Sequence, residues 1–247
     1  MRPELLSYVP DEVHFKDGKL DITGWYFKQP KGKVVKARLL FFHGNAENVS
    51  SHFVSLYWLL EHGYEFLIYD YPGYGISEGR PTPENTVTSG LAAARWLREQ
   101  SPATPIAFFG QSLGGAVTLT TALSARNEMP ICLVTVESTF ASYKRAARSI
   151  MANSWVTWLF QPLAYILFSD KSAPKGHLKE LAPIPLIVVH GEDDPMIDIQ
   201  LGRNLFDEAA EPKEFWPVPG GSHGDAFTRQ EFRQKLLGKL TQYCHQK

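Results

Sequence analysis

Short apolar runs alternate along this chain with longer segments whose apolar residues recur at helical spacing. The runs are rich in β-branched and aromatic side chains and are bounded by glycine or proline, which is typical of buried strands. The first two are expected to be antiparallel, because the turn residues Asp17-Gly18 separate them. Together the runs predict eight strands: Glu12–Phe15, Leu20–Phe27, Ala37–Phe42, Glu65–Asp70, Ile106–Phe109, Ile131–Val136, Leu186–Val189 and Glu214–Val218.

Helical segments are predicted between these strands. The first ends before Gly63, a residue suited to a helix C-cap. Regular alternation of strands and helices predicts a mostly parallel sheet with helices on both faces, so the fold class is α/β. In such sheets, functional groups gather at the carboxyl ends of the strands. The predicted helices are Val49–His62, Glu84–Gln100, Leu113–Ala125, a segment near Ile199–Ala209, and a last one from about Thr228 to Tyr243.

Residues 138–183 interrupt this alternation and separate two predicted strands by far more than a short loop requires. Their content is helical and aromatic. The most apolar part, Trp155–Phe168, has 14 residues and is broken by Gln161-Pro162, so it is too short to cross a bilayer, which needs about 20. We expect its apolar face to be buried, with peripheral membrane contact as the alternative. The aromatic residues are Tyr143, Trp155, Trp158, Phe160, Tyr165 and Phe168.

The segment Gly110-Gln111-Ser112-Leu113-Gly114 lies between a predicted strand and a predicted helix. A serine in G-x-S-x-G at that position occupies a sharp turn, and the small residues on either side allow the backbone to fold so tightly. The turn exposes the hydroxyl, and the start of the next helix offers backbone N–H groups to a developing anion. We therefore interpret Ser112 as a catalytic nucleophile, with a structural turn as the alternative.

A serine nucleophile needs a base and a group that orients the base, each on a loop after a strand. Asp194 follows one late strand, and His223 lies in the glycine-rich loop after the next. The order serine, acid, histidine is that of the α/β-hydrolase triad. Asp193 and Asp198 are alternatives for the acid. Among the eight histidines we favour His223, and we expect His43 and His190 to pack or to form hydrogen bonds within their loops.

The chain resembles the α/β-hydrolase family, and within it the BEM46-like and depalmitoylase-like esterases with small helical caps. The resemblance implies one domain over residues 1–247, with residues 138–183 inserted as a helical cap over the active site. It also implies the triad Ser112, Asp194 and His223, with an oxyanion hole formed by the backbone N–H groups of Asn45 and Leu113. The residues that carry it are segments 42–48, 69–77, 110–114, 190–194 and 220–223, in family order.

Composition narrows the function classes. The net charge of −1 gives no electrostatic reason to expect nucleic acid as a partner. The two cysteines, Cys132 and Cys244, have no spacing that suggests zinc or a disulfide framework, and we expect Cys132 to be buried in its strand. No phosphate-binding or metal motif appears, so we expect neither cofactor nor metal. The first residues lack the apolar core of a signal peptide, which favours a cytoplasmic location.

These observations favour a serine hydrolase that cleaves an ester or thioester of an apolar acyl compound, either a small molecule or an acylated partner. Serine at the nucleophile position argues against a haloalkane dehalogenase, which needs a carboxylate there. One alternative is a serine peptidase or amidase, for which Asp70 and Glu137 could hold an amine, although structural roles suit both better. The other alternative is a non-catalytic ligand-binding protein.

Overall fold

The computed structural model describes residues 7–46, 48–152 and 157–244, and within them an eight-stranded sheet confirms the predicted architecture. The spatial strand order is β1-β2-β4-β3-β5-β6-β7-β8. The pairs β1–β2 and β2–β4 are antiparallel and the other five pairs are parallel. The strands are β1 Asp11–Asp17, β2 Leu20–Phe27, β3 Arg38–Phe42, β4 Glu65–Tyr69, β5 Ile106–Gln111, β6 Ile131–Glu137, β7 Leu186–Gly191 and β8 Lys213–Val218.

Helices cover both faces of the sheet, because successive side chains of its central strands point to opposite sides. In β3, Leu40 and Phe42 pack in one core with the helices after β4 and β5, whereas Leu39 and Phe41 pack in the other core with the C-terminal helix. The helices are α1 Val49–His52, α2 Val54–Tyr57, α3 Pro83–Gln100, α4 Leu113–Ala125, α5 Tyr143–Ala152, α6 Ala164–Leu167, α7 Ile199–Glu208 and α8 Gln230–Cys244.

The single helix predicted over Val49–His62 is wrong, because the segment consists of α1, α2 and a 3₁₀ turn, Trp58–His62. The Trp58 indole N–H donates to Ser55 O at 2.9 Å and so competes for a carbonyl that a regular helix would use. Gly63 ends the segment at φ 85°, as its C-cap prediction required.

A disulfide between Cys132 and Cys244 corrects the expectation that the cysteines form no disulfide framework, and Cys132 is only partly buried rather than buried as expected. The bond joins the second residue of β6 to the last residue of α8, with the Cα atoms 5.2 Å apart. The two cysteines are 112 positions apart, and spacing alone cannot reveal such a pair. The cytoplasmic location stays a prediction.

Residues 138–183, called the insertion below, lie between β6 and β7 and contain α5, α6 and the 3₁₀ turns Trp158–Leu163 and Leu178–Leu181. The expectation that its apolar face is buried is wrong: Leu159 is 75% exposed and Ile166 is 78% exposed. The described helices of the insertion bury mainly small side chains such as Ala146 and Ala164, which leaves the large ones outside. Trp155 lies outside the described residues.

Within the described part of the chain, the helices lack the combination of length and hydropathy that crossing a bilayer requires.

Candidate active site

Ser112 occupies a strained turn between β5 and α4. Its backbone has φ 56° and ψ −124°, in a region that side-chain-bearing residues rarely adopt. Glycine is required on both sides of the turn. A Cβ at Gly110 would lie 2.1 Å from Thr118 Oγ1, and a Cβ at Gly114 would lie 2.0 Å from Phe42 O. The G-x-S-x-G pattern is therefore dictated by close contacts of β5, α4 and β3.

The end of β6 holds the backbone of this turn in place. Ser112 N donates to Glu137 O at 2.9 Å, and Thr139 Oγ1 donates to Ser112 O at 2.6 Å. Both bonds come from a neighbouring strand and the loop after it, so the strained conformation is fixed by the surrounding structure. Ser112 remains only partly buried.

Asp194 and His223 meet at the same edge of the sheet, from the loops that follow β7 and β8. His223 Nδ1 and Asp194 Oδ2 are 2.8 Å apart, and the Asp194 side chain is fully buried. Asp194 Oδ1 accepts from the backbone N–H groups of Met196 and Ile197, both at 2.9 Å. Burial alone would raise the pKa of Asp194, but the hydrogen bonds from His223, Ile197 and Met196 hold it below its ordinary value.

This arrangement assigns the two ring nitrogens of His223. A charged Asp194 accepts from Nδ1–H, which fixes the tautomer with Nε2 as the proton acceptor. The other acid candidates have different roles: Asp193 is exposed, and Asp198 caps α7 by accepting from Gln200 N at 2.8 Å. The structure thus pairs His223 with the aspartate that the sequence favoured.

Two other histidines form local contacts, as expected. His43 Nδ1 donates to Gly44 O at 2.8 Å, and burial lowers the pKa of His43 to about 3. His190 Nε2 donates to Ile197 O at 2.8 Å, and burial also lowers the pKa of His190. Both rings are completely buried, and they hold the loops after β3 and β7 through these backbone contacts. His245 lies outside the described residues.

A buried polar cluster, which the sequence analysis did not find, connects the serine turn to the histidine loop. We call it the clamp: the side chains of Gln111, Glu137 and Ser138, which bind the backbone of Gly224 and Ala226. Gln111 Nε2 donates to Gly224 O at 2.9 Å and to Glu137 Oε2 at 3.1 Å. Glu137 Oε1 accepts from Ala226 N at 2.8 Å, and Ser138 Oγ accepts from Gly224 N at 3.0 Å.

The clamp joins the immediate neighbours of Ser112 and His223, because Gln111 precedes the serine and Gly224 follows the histidine. Glu137 is 1% exposed, and its burial raises the pKa of this carboxyl to about 7 despite the bonds from Ala226 and Gln111. Polar residues at the ends of two otherwise apolar strands, β5 and β6, were the sequence signal for this cluster.

The two residues predicted to donate to an oxyanion line one cavity of about 530 Å³. Leu113 is the first residue of α4, where backbone N–H groups have no partner within the helix. Asn45 follows Gly44, at which an added Cβ would lie 3.6 Å from Ser112 Cβ. The Tyr74 hydroxyl holds Asn45 by donating to its side-chain oxygen at 2.9 Å. The loop after β3 therefore runs directly beside the serine turn.

The insertion and the loop after β4 form the walls of that cavity. Tyr143, Leu167 and Phe168 come from the insertion, and Tyr74, Pro81 and Thr82 come from the loop. The aromatic residues of the insertion lie in different places. Phe168 lines the cavity. Tyr165 lines a separate outer groove of about 620 Å³ together with Arg145 and Arg148. In the described part of the chain, no group of three histidine, cysteine, aspartate or glutamate side chains is arranged to hold a metal ion.

Comparison with known proteins identifies the family of this chain. Residues 37–161 match the family model for the alpha/beta hydrolase fold. The uncharacterized protein YfhR of Escherichia coli K12 is 31% identical over 249 residues, which cover 95% of this chain and 84% of YfhR. The lysophosphatidylserine lipase ABHD12 of Macaca fascicularis is 32% identical over 190 residues, covering 72% of this chain but only 47% of the lipase.

Solved structures share the fold. The Pyrococcus furiosus esterase Pf2001 superposes with a TM-score of 0.76 at 18% identity, and the match covers 98% of this chain and 94% of the esterase.

Proposed function

The chain belongs to the alpha/beta hydrolase family, and from that premise we propose that it is a serine hydrolase with Ser112, His223 and Asp194 as its triad. One observation carries the proposal. A strained serine turn and a buried carboxylate–imidazole pair occupy adjacent loops, and Gln111 links the two loops by a direct hydrogen bond to Gly224. The strained turn destabilises the folded state, and a role in ligand binding alone would give no reason to retain it.

The reaction follows from the orientation of each group. His223 Nε2 removes the hydroxyl proton of Ser112 as Ser112 Oγ attacks the substrate carbonyl. The N–H groups of Asn45 and Leu113 stabilise the oxyanion of the tetrahedral intermediate. His223 then protonates the leaving alcohol or thiol, which leaves an acyl-enzyme. Water activated by the same histidine attacks that ester and releases the acid, with Asp194 holding the imidazole throughout.

The cavity supports an ester or thioester of an apolar acyl compound as the substrate. Leu167 and Phe168 give it an apolar wall, while Asn45 and Leu113 mark the end where the carbonyl would be held. The names of two relatives, an esterase and a lipase, point to the same bond type. We propose that the insertion serves as the cap of this cavity.

An amidase has less support, because the two carboxylates that could hold an amine already have internal partners. Glu137 belongs to the clamp, and Asp70 Oδ1 accepts from Val49 N at 3.0 Å. Both are buried, at 1% and 4% exposure, so neither presents a charge to a substrate.

Hydrolysis of p-nitrophenyl esters from acetyl to palmitoyl tests the proposal. We expect the wild type to hydrolyse these esters and Ser112→Ala to lose kcat on the order of 10⁶-fold. The matched control is Ser222→Ala, which changes the exposed neighbour of His223 and should keep near-normal rates. A fluorophosphonate probe should label the wild type and spare Ser112→Ala. Turnover or labelling that persists in a folded Ser112→Ala protein would disprove the assignment.

A further inference from the structure

The insertion exposes a dense run of large apolar side chains to solvent. We call it the ridge and define it by the side chains of Leu159, Phe160, Leu163, Ile166 and Leu167. These residues are 75%, 53%, 40%, 78% and 68% exposed, and all lie within nine consecutive positions. Single exposed apolar side chains are ordinary on a protein surface, but a run of this density marks a surface that contacts another apolar phase.

Basic side chains flank the ridge. Arg145 and Arg148 are exposed on α5 and line the groove beside Gln161 and Tyr165, and Arg148 Nε donates to Gln161 Oε1 at 3.4 Å. Lys171 is exposed beyond the other end of the ridge. Across residues 7–46, 48–152 and 157–244, these three cations form no ion pair, because the lysine and arginine ion pairs involve other residues. Two carboxylates lie nearby: Glu84 interacts electrostatically with Lys171, and Glu208 lines a small pocket with Arg145. Asp198 also lines the groove, where its carboxylate is engaged as the N-cap of α7.

From this combination we propose that the ridge docks the protein on the surface of an anionic lipid bilayer. An apolar stripe bordered by unpaired arginine and lysine is the arrangement by which interfacial helices bind membranes. Such side chains enter the boundary of the acyl chains while the cations meet the negative headgroups. A second copy of the chain is the less suitable occupant, because a two-fold contact through the ridge would bring Arg145 and Arg148 close to their own copies.

The position of the ridge gives this docking a consequence for substrate entry. Leu167 belongs both to the ridge and to the wall of the cavity that Asn45 and Leu113 line, and Phe168 continues that wall. An acyl chain leaving the bilayer would therefore reach the cavity along apolar side chains without crossing water. Docking itself requires no catalysis, so it can be measured separately from the proposed hydrolase activity.

Flotation with vesicles tests the proposal. The probes are vesicles of phosphatidylcholine alone and vesicles with one third phosphatidylglycerol, mixed with protein that contains residues 1–247. We expect the wild type and Ser112→Ala to float with the anionic vesicles. The double variant Leu159→Gln/Ile166→Gln should bind at least about tenfold more weakly, because it removes two large apolar side chains from the interface. Arg145→Gln/Arg148→Gln should lose about fivefold per arginine on anionic vesicles.

The matched control is Val34→Gln, which changes an apolar residue that is 82% exposed. Val34 precedes β3, at the amino ends of the parallel strands, whereas the insertion follows the carboxyl end of β6. This variant should float like the wild type, and all variants except Ser112→Ala should hydrolyse a soluble acetyl ester normally. The proposal is overturned if the wild type binds no vesicles or if the ridge variant binds as well as Val34→Gln. It is equally overturned if sedimentation shows a dimer that only the ridge variant dissociates, without any vesicle binding.

Discussion

The carboxyl edge of the sheet buries polar side chains, whereas the insertion exposes apolar ones. At the edge, polar groups that could face water are buried and satisfied, as with Asp194, which accepts three hydrogen bonds, and Glu137, which accepts two. In the insertion, apolar groups that could be buried face solvent, as with Leu159 and Ile166. At the edge, free energy is lost by removing polar groups from water. In the insertion, it is lost by leaving apolar surface in contact with water.

In the proposed function, this difference separates two tasks. Positioning a nucleophile and a base within tenths of an ångström requires a buried, fully bonded frame, since small displacements strongly reduce rates. Recognising an apolar chain requires only area and shape. Changes at the edge should therefore affect every substrate equally, whereas changes in the insertion should affect long-chain substrates alone.

After Ser112→Ala, the largest effect is expected from Asp194→Asn. An asparagine at this position loses the charge that orients His223 and stabilises its imidazolium, so kcat should fall about 10⁴-fold for acetyl and long-chain esters alike. Steady-state kinetics on both esters checks this. The matched control is Asp193→Asn, which changes the exposed neighbour and should retain full activity. A greater loss in Asp193→Asn than in Asp194→Asn would reverse the assignment of the acid.

Removing the disulfide should affect stability without affecting the edge. Closing a loop of this length contributes about 4–5 kcal/mol in the chain-entropy model, and Cys132→Ala/Cys244→Ala should lose an amount of that order in urea unfolding. Cys132 lies roughly 17 Å along β6 from Glu137, at a rise of about 3.3 Å per residue, so the folded variant should keep its kcat. A parallel loss of kcat in fully folded protein would show that the two ends of β6 are coupled.

The clamp should make stability depend on pH. Because the pKa of Glu137 is raised from 4.5 to about 7, the folded state binds more protons than the unfolded state between those values. The free energy of unfolding should therefore fall as pH rises from 4.5 to 7, by on the order of 3 kcal/mol from this group, and level off above. Urea unfolding at several pH values, compared with Glu137→Gln, isolates this contribution.

The exposed Glu99→Gln serves as the control for charge removal alone. An identical pH slope in the wild type and Glu137→Gln would mean that the clamp does not titrate in this window.

The smallest effect is expected in the insertion. Phe168→Ala removes part of the cavity wall and should reduce kcat/KM about tenfold for an octanoyl ester, while the acetyl ester is unaffected. Phe160→Ala is the matched control, since it shortens an exposed phenylalanine of the same insertion. Equal losses on both esters would contradict the division between edge and insertion.

The part of the fold that depends on local pattern could be predicted from the sequence. Apolar runs and their bounding glycines identified the eight strands, and the context of Ser112 identified the turn. Chain order selected Asp194 and His223, which the structure pairs at 2.8 Å. Their catalytic roles stay predictions.

The remaining features depend on contacts between distant segments. The clamp requires the register that places Gln111 opposite Glu137, and the disulfide joins residues 112 positions apart. The exposure of the ridge could not be predicted either, because an apolar helical face shows the same periodicity whether it is buried or open. Only the packing of Ala146 and Ala164 decides which face turns inward.

The hydrogen bond from Gln111 to Gly224 joins residues 113 positions apart. Its two partners are therefore synthesised at different times. Chains emerge from the ribosome amino end first, so the serine turn is available long before the segment that carries His223. A nascent chain that has passed β6 holds Gln111 and Glu137 but lacks the loop whose backbone they bind. If the proposed triad is correct, hydrolytic activity should therefore arise only late in translation, once the segment that carries His223 has emerged.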